Sequence, residues 1–337
     1  MASRVMIIAE AGSVHDGSFG NAQKLIELAA SCGADAVKFQ THLASAETLR
    51  NAPMPPYFKG ESRYEYFERT GFSIEQWKLL AACAKANSIE FLSSPFSVEA
   101  VTLLEDVGIG RYKIPSGEVS NIPLLEAVAE TGKPILLSSG MSNWEELDRA
   151  VATIRRRHNK LCVMQCTSAY PCPPERVGLN VLAEIRDRLQ VETGYSDHTL
   201  DNYACLAAVA LGATVIEKHM TFSRRMYGSD APHSAEPPQF MDLVRGIREI
   251  STMLENPIKK DDIGPYAEMK RIFEKSVVTI CEIKAGTLIT SDMVSVKKPG
   301  DGVPAARLRD VIGSRAKVDI KSGVKIQEAS IEWRHPS

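Results

Sequence analysis

Short apolar runs rich in β-branched residues alternate along the chain with longer stretches whose apolar positions recur every three or four residues. That is the pattern of strands followed by amphipathic helices. The runs are Val5 to Glu10, Ala36 to Gln40, Ile89 to Ser94, Arg111 to Ile114, Ile135 to Ser138, Leu161 to Cys166, Val191 to Ser196 and Thr214 to His219. Helical period marks Asn21 to Ser31, Ile74 to Ala86, Ser142 to Arg156 and Asn202 to Leu211. Eight strand–helix units in roughly 250 residues predict an α/β fold, a (β/α)8 TIM barrel. The alternative, a doubly wound sheet, needs no eighth unit and usually has a glycine-rich first turn, which Glu10-Ala11-Gly12-Ser13 is not.

The alternation stops after Leu254. Glu255 to Glu274 is rich in Lys, Asp, Pro and Gly and reads as a linker. Beyond it, Ile283-Lys284-Ala285-Gly286 with Ile289 and Val294 repeats as Ile320-Lys321-Ser322-Gly323 with Ile326 and Ile331, which predicts a small, pseudo-symmetric, mostly β domain. The chain is thus read as a barrel over 1–255, a linker over 256–275 and a small domain over 276–337. The longest connection, Thr41 to Ser73, carries Pro53, Pro55, Pro56 and the aromatics Tyr57, Phe58, Tyr64, Tyr66 and Phe67. A connection of that length inside a barrel reads as a lid.

The 337 residues are 44% hydrophobic and 24% charged, with a formal charge of -2. This is an ordinary globular composition, without the global field that would draw nucleic acid or an anionic membrane. No window approaches a membrane span, and Val5 to Ala9 is too short an apolar core for a signal peptide. Seven scattered cysteines without C-x-x-C spacing fit a reducing compartment, so a cytoplasmic location is expected.

In such a barrel the carboxyl ends of the strands converge, so their polar residues form one site. Lys38 and Lys113 among Ser94, Ser116 and Ser138 point to an anion, a phosphate or phosphoenol group, because a buried unpaired ammonium is costly. Internal ion pairs of each lysine with Glu10 or Glu118 are the alternative. His198 and His219 end neighbouring strands, and imidazole is the commonest metal-ligand side chain. Two imidazoles without a nearby thiolate suit a hard or borderline divalent ion with open positions, such as Mn2+, Mg2+ or Co2+. A hydrolytic zinc site would want a third protein ligand, and His15-Asp16-Gly17 does not supply the His-x-His of an amidohydrolase-type site.

The strings Lys38-Phe39-Gln40-Thr41-His42, Ser93-Ser94-Pro95-Phe96-Ser97, Tyr112-Lys113-Ile114-Pro115-Ser116-Gly117-Glu118, Ser138-Ser139-Gly140-Met141, Cys166-Thr167-Ser168-Ala169-Tyr170-Pro171, Tyr195-Ser196-Asp197-His198-Thr199 and Glu217-Lys218-His219 resemble, in this order, the motifs of the bacterial sialic acid synthase family. The tail around Lys298-Pro299-Gly300-Asp301-Gly302 resembles that family's antifreeze-like (SAF) domain. The resemblance implies condensation of phosphoenolpyruvate with an N-acylated mannosamine-type hexose, giving a nine-carbon 2-keto acid, a nonulosonate, plus phosphate. It implies that Lys38, Lys113, Ser94, Ser116, Ser138, Ser196 and Tyr170 hold phosphoenolpyruvate, that His198 and His219 hold the metal, Mn2+ foremost, and that Glu10, Gln40 and Asp230 meet the sugar. Glu118 is the candidate to orient or deprotonate water. In the family the small domain reaches the site of the other subunit, so a domain-swapped homodimer is expected.

Four places depart from the family pattern: Val14 before His15, Ser168 where Asn is usual, Lys298 where Arg is usual, and the neighbours of Asp230 in Gly228 to His233. They bear on which sugar is used, among N-acetylmannosamine, its 6-phosphate and a 2,4-diacetamido-trideoxy hexose. The competing functions are a metal-dependent hydrolase on the same barrel and a non-catalytic carbohydrate-binding protein.

Overall fold

All eight apolar runs form parallel strands: β1 (Met6–Gly12), β2 (Ala36–Thr41), β3 (Glu90–Pro95), β4 (Tyr112–Ile114), β5 (Ile135–Ser138), β6 (Leu161–Cys166), β7 (Glu192–Asp197) and β8 (Val215–His219). They pair in sequence order and β8 closes on β1, so the doubly wound alternative is excluded. The computed structural model describes residues 4–53 and 61–334, which divide into two units, Met1–Asn256 and Pro257–Ser337.

The helices of the first unit are α1 (Phe19–Ser31), α2 (Ala44–Glu47), α3 (Arg63–Thr70), α4 (Ile74–Ala86), α5 (Val98–Val107), α6 (Ile122–Glu130), α7 (Trp144–Arg155), α8 (Asn180–Leu189), α9 (Tyr203–Ala210) and α10 (Pro237–Glu255). Their starts follow capping chemistry. Ser18, Ser73, Ser97, Asn121 and Asn143 each accept a backbone N–H three residues on, satisfying a donor that the first turn leaves open. Asn143 therefore sets the beginning of α7 at Trp144, two residues later than its apolar period alone indicates.

Strand parity sorts the core. Ile7, Ala9, Val37, Phe39, Tyr112, Ile114, Val163, Tyr195 and Ile216 share one large cluster with the helices. The opposite parity, Ile8, Ala36, Leu92, Leu136, Cys162, Met164 and Val215, forms a separate cluster. Contact among residues from six strands of a closed barrel places that cluster in the barrel interior. Because side chains alternate with period two, the next residues on the inward face are Glu10, Lys38, Ser94, Ser138, Cys166 and Glu217. An apolar layer thus underlies a polar one.

Within the connection read as a lid, Pro55, Pro56, Tyr57 and Phe58 lie outside the described residues. Its described part contains α2 and α3, the latter opened by a reciprocal Ser62–Glu65 capping box. Tyr64, Tyr66 and Phe67 are buried there in one cluster with Ala44.

In the second unit, the stretch read as a linker carries α11 (Ala267–Phe273). Beyond it β9 (Ser276–Thr279) pairs antiparallel with β10 (Val294–Lys297), and β11 (Arg315–Ala316) with β12 (Ile331–Glu332). The sequence repeat is a structural one. Ile283 and Ile320 exchange both backbone hydrogen bonds, at 2.9 and 2.8 Å, and Ile289, Ile326, Val294 and Ile331 share one buried core.

Candidate active site

The polar layer opens into a cavity of about 530 Å³. Glu10, Lys38, Gln40, Lys113, Ser116, Glu118, Ser138, Ser168, Tyr170, Ser196, His198, His219 and Asp230 all line it. Ser94 is not a lining residue. It lies behind Lys38, whose Nζ donates to its Oγ at 3.1 Å. Lys298 belongs to the second unit, where its Nζ stands 4.7 Å from the Phe273 ring centroid.

Both lysines are paired, and one pairing differs from the sequence alternative. Lys38 Nζ is 2.8 Å from Glu10 Oε2, whereas Lys113 Nζ donates to Glu217 Oε1 at 3.0 Å rather than to Glu118. The side chain of Lys113 shares its cavity-facing parity with Glu217 across the barrel, while Glu118 lies beyond the strand end in a 3-10 turn, Ser116–Glu118. Burial pushes the Glu10 carboxyl up to about 7, with Lys38 opposing and Glu217 adding to the rise. Burial acts on Glu217 in the same sense, but Lys113 and Lys38 outweigh it and hold that carboxyl at about 2. Glu10 is thus the carboxylate of the two that more readily takes a proton.

The hydroxyls are poised differently. Ser116 Oγ accepts the Gly140 N–H at 3.0 Å, and Ser196 Oγ donates to Glu217 Oε1 at 3.0 Å. Among the described residues, Ser138 Oγ, Glu217 Oε2 and His219 Nδ1 are buried in this wall without a hydrogen-bond partner. Each such group costs about 1–3 kcal/mol, which a polar ligand would relieve.

The His198 and His219 ring centroids are 5.5 Å apart. His198 Nδ1 donates to the Thr167 carbonyl at 2.8 Å, which fixes the tautomer and leaves Nε2 as the lone-pair nitrogen. Burial pulls His219 down to about 4, so it is the neutral imidazole that a metal requires. Among the described residues no third His, Cys, Asp or Glu completes a metal-binding cluster. Burial works against a charge on His198, but Cys166, whose Sγ is 3.9 Å from Nδ1, outweighs it and raises that imidazole above its ordinary value; a thiol thus stands beside the pair, where the sequence reading had none. Two imidazoles beside open, polar volume fit a divalent ion that keeps positions for oxygen ligands.

Asp230 reaches the cavity from the segment after β8. Its Oδ2 accepts both the N–H and the Oγ–H of Ser13 at 3.0 Å. Gly12 makes room, since a Cβ there would stand 2.5 Å from Asp230 Oδ2, and its φ is +49°. Glu118 Oε2 accepts from Asn121 Nδ2 at 2.8 Å, and burial raises its carboxyl above the usual range.

Ser13, Arg63, Phe96, Met141 and Cys166 also line the cavity without an individual role in the sequence reading, as do Glu217 and Phe67, which that reading had only within a strand-end motif and within the lid. Glu217 was findable, because it sits two residues before His219 and therefore on the same face. Arg63 and Phe67 come from α3, whose position no strand periodicity encodes.

The chain is 36% identical over 335 residues to the N,N'-diacetyllegionaminic acid synthase of Campylobacter jejuni, covering 96% of this chain and 99% of that protein. It is 34% identical to the N-acetylneuraminate-9-phosphate synthase of Mus musculus, over 97% of this chain and 92% of that one. The crystal structure of the N-acetylneuraminic acid (sialic acid) synthetase of Leptospira borgpetersenii in complex with citrate superposes with a TM-score of 0.71 at 29% identity, covering 80% of this chain and 91% of that one. The NeuB family pattern matches residues 25–259 and the SAF domain pattern residues 274–332. The two matches span most of the barrel and the repeated tail: this chain belongs to the NeuB family and carries a SAF domain.

Proposed function

We propose that the chain is a nonulosonate synthase, condensing phosphoenolpyruvate with an N-acylated mannosamine-type hexose and cleaving the C–O bond of phosphoenolpyruvate. The observation that carries this reading is the paired Lys38 and Lys113 beside the unsatisfied Ser138 hydroxyl in one cavity. Two ammonium groups and free hydroxyl donors suit an anion bearing both carboxylate and phosphate. Protonation of Glu10 would release Lys38 from its internal partner and leave two ammonium groups facing the single carboxylate of Glu217 when such an anion enters. The names of the relatives support the same chemistry.

In the reaction C3 of the enol attacks the sugar aldehyde carbon, the aldehyde oxygen gains a proton, and water adds at C2 with loss of a proton. The resulting tetrahedral centre expels phosphate to leave the 2-keto acid. Lys38, Lys113, Ser116, Ser138 and Ser196 bind and orient the anion, and proximity of this kind lowers the barrel-bound barrier. Glu118, with Oε2 tied to Asn121 and its basicity raised by burial, takes the proton from the water that adds at C2. Gln40, Asp230 and Ser168 face the sugar. His198 and His219 would hold a divalent cation, Mn2+ in the first instance, which supplies Lewis-acid polarisation of the aldehyde oxygen.

The small domain acts, in this reading, in a homodimer, with Lys298 presented to the substrate of the other subunit. Sedimentation equilibrium of the full chain tests that part. The reaction is tested by a phosphate-release screen with phosphoenolpyruvate, Mn2+ and each of N-acetylmannosamine, its 6-phosphate and a 2,4-diacetamido-trideoxy hexose. Release that depends on one of these sugars supports the proposal. Release from none of them, or hydrolysis without phosphoenolpyruvate, refutes it.

A further inference from the structure

His42, one residue past the end of β2, lines the cavity but does not present its ring to it. Phe67 stacks on the imidazole with centroids 3.6 Å apart and planes within 9°, and Phe96 does so at 3.9 Å and 23°. Two rings at that spacing occupy opposite faces, so His42 acts only through its nitrogens. Nδ1 is 2.7 Å from Glu47 Oε1, and Nε2 is 3.2 Å from Gln40 Oε1. A carbonyl oxygen only accepts, so Nε2 carries the hydrogen and donates to Gln40, while Nδ1 is anchored against Glu47. Burial lowers the imidazole below its ordinary value, with Glu47 opposing, so the ring is held by its two contacts and the stack around it. On its other side, Gln40 Nε2 donates to Glu10 Oε1 at 2.8 Å.

We infer that His42 is a positioning residue: clamped between Phe67 and Phe96 and anchored on Glu47, it fixes the Gln40 amide with its carbonyl turned away and its –NH2 presented to Glu10 and to the ligand. An amide –NH2 has two hydrogens. Glu10 takes one, and the second is left for a lone pair on the acceptor sugar, a hydroxyl or N-acyl carbonyl oxygen. Without His42 the amide is free to turn over and offer an acceptor where the sugar needs a donor. The sugar part of the inference rests on the function proposed above; the fixed amide does not.

The test compares His42→Phe, which keeps an aromatic ring in the stack and removes both nitrogens, with His42→Gln, which gives up the stack and keeps a side-chain N–H. His42→Phe is expected to raise the acceptor KM about tenfold, the scale of one misplaced hydrogen bond, with the phosphoenolpyruvate KM unchanged. His42→Gln is expected to recover most of the loss. An unchanged acceptor KM in His42→Phe, or a parallel rise in both KM values with a fall in Tm, overturns the positioning role. If the wild-type chain turns over none of the three sugars, the proposed function fails, and the positioning role is decided without turnover. The side-chain 15N–1H signals of Gln40, identified by their loss in Gln40→Asn, must shift or broaden in His42→Phe, and unaltered signals refute the clamp.

Discussion

Lys218 Nζ lies 2.5 Å from Asp197 Oδ2, joining residues that are register partners on β7 and β8. Both are buried and share the strand parity of Tyr195 and Ile216, which pack toward the helices. The same ammonium donates to the carbonyls of Thr199 and Asp201 at 2.8 and 2.7 Å, and Asp197 accepts from Tyr195 Oη and from the Thr199 backbone and hydroxyl. Each member of the pair immediately precedes a cavity histidine, so the pair fixes the two strand ends that carry His198 and His219. Lys218→Met leaves Asp197 charged, buried and short of its counter-ion, and should cost about 3–5 kcal/mol. Denaturant unfolding of the two proteins measures it.

Glu10 gives the ligand-free protein a definite pH response. Burial holds its carboxyl near 7 in the folded state against an ordinary value of 4.5. The unfolded chain therefore gives up this proton first as pH rises. The stability that Glu10 contributes is complete below about 4.5 and is lost as pH climbs toward 7. Glu217 runs the other way, since its lowered value makes its contribution present above about 4.5 and lost as pH falls toward 2. Thermal unfolding of Glu10→Gln between pH 5 and 7 should show a flatter slope than wild type. Identical slopes would mean that Glu10 does not titrate in this window.

The strands and the lysine, serine and histidine wall were legible because two periods write them directly. Period two puts Lys38, Ser138, Ser196 and His219 on the inward face, and eight repeats impose closure. What the sequence hid arises from contacts across the barrel or from the β2–α3 connection. The partner of Lys113 is Glu217, 104 residues away, and local spacing offered only Glu118. Arg63 and Phe67 reach the cavity through the placement of α3, and His42 is decided by two stacked rings that no linear pattern brings together. The tail repeat was legible as Ile283 and Ile320, but the antiparallel exchange of hydrogen bonds between them was not.

Removing either cavity imidazole should disable cation binding and condensation together. His198→Ala or His219→Ala would leave one of the two proposed nitrogen ligands. The loss in Mn2+ affinity should exceed the roughly 10–100-fold that a change in an outer hydrogen-bond partner brings. Titration followed by the electron paramagnetic resonance of free Mn2+ reads this without turnover, and phosphate release is read in parallel. Wild-type Mn2+ affinity in both variants would remove the histidine pair from the metal site.

The two halves of the tail should respond alike to the same substitution. Gly286 and Gly323 occupy equivalent places in the repeat, at φ +83° and +75°, and nothing lies within 4 Å of a Cβ at either. The cost of Gly286→Ala or Gly323→Ala is then backbone strain alone, about 1–2 kcal/mol in each case. Unfolding of the full chain monitored at Trp333, the tryptophan packed against this core, should register similar losses. A large loss in one copy with none in the other would break the pseudo-symmetry.

Glu118→Gln separates binding from proton transfer at C2. The amide matches the carboxylate in size and can still meet Asn121, so substrate affinity should hold. It cannot take a proton from water, and loss of a general base usually lowers kcat by about 100-fold to 10,000-fold. The variant should therefore keep both KM values and lose kcat, with the loss largest in phosphate release measured in a single turnover. Burial raises the Glu118 carboxyl, so wild-type kcat should rise with pH through a value above the usual carboxylate range, and the Gln variant should lack that limb. Full turnover by Glu118→Gln would assign the proton at C2 to another group.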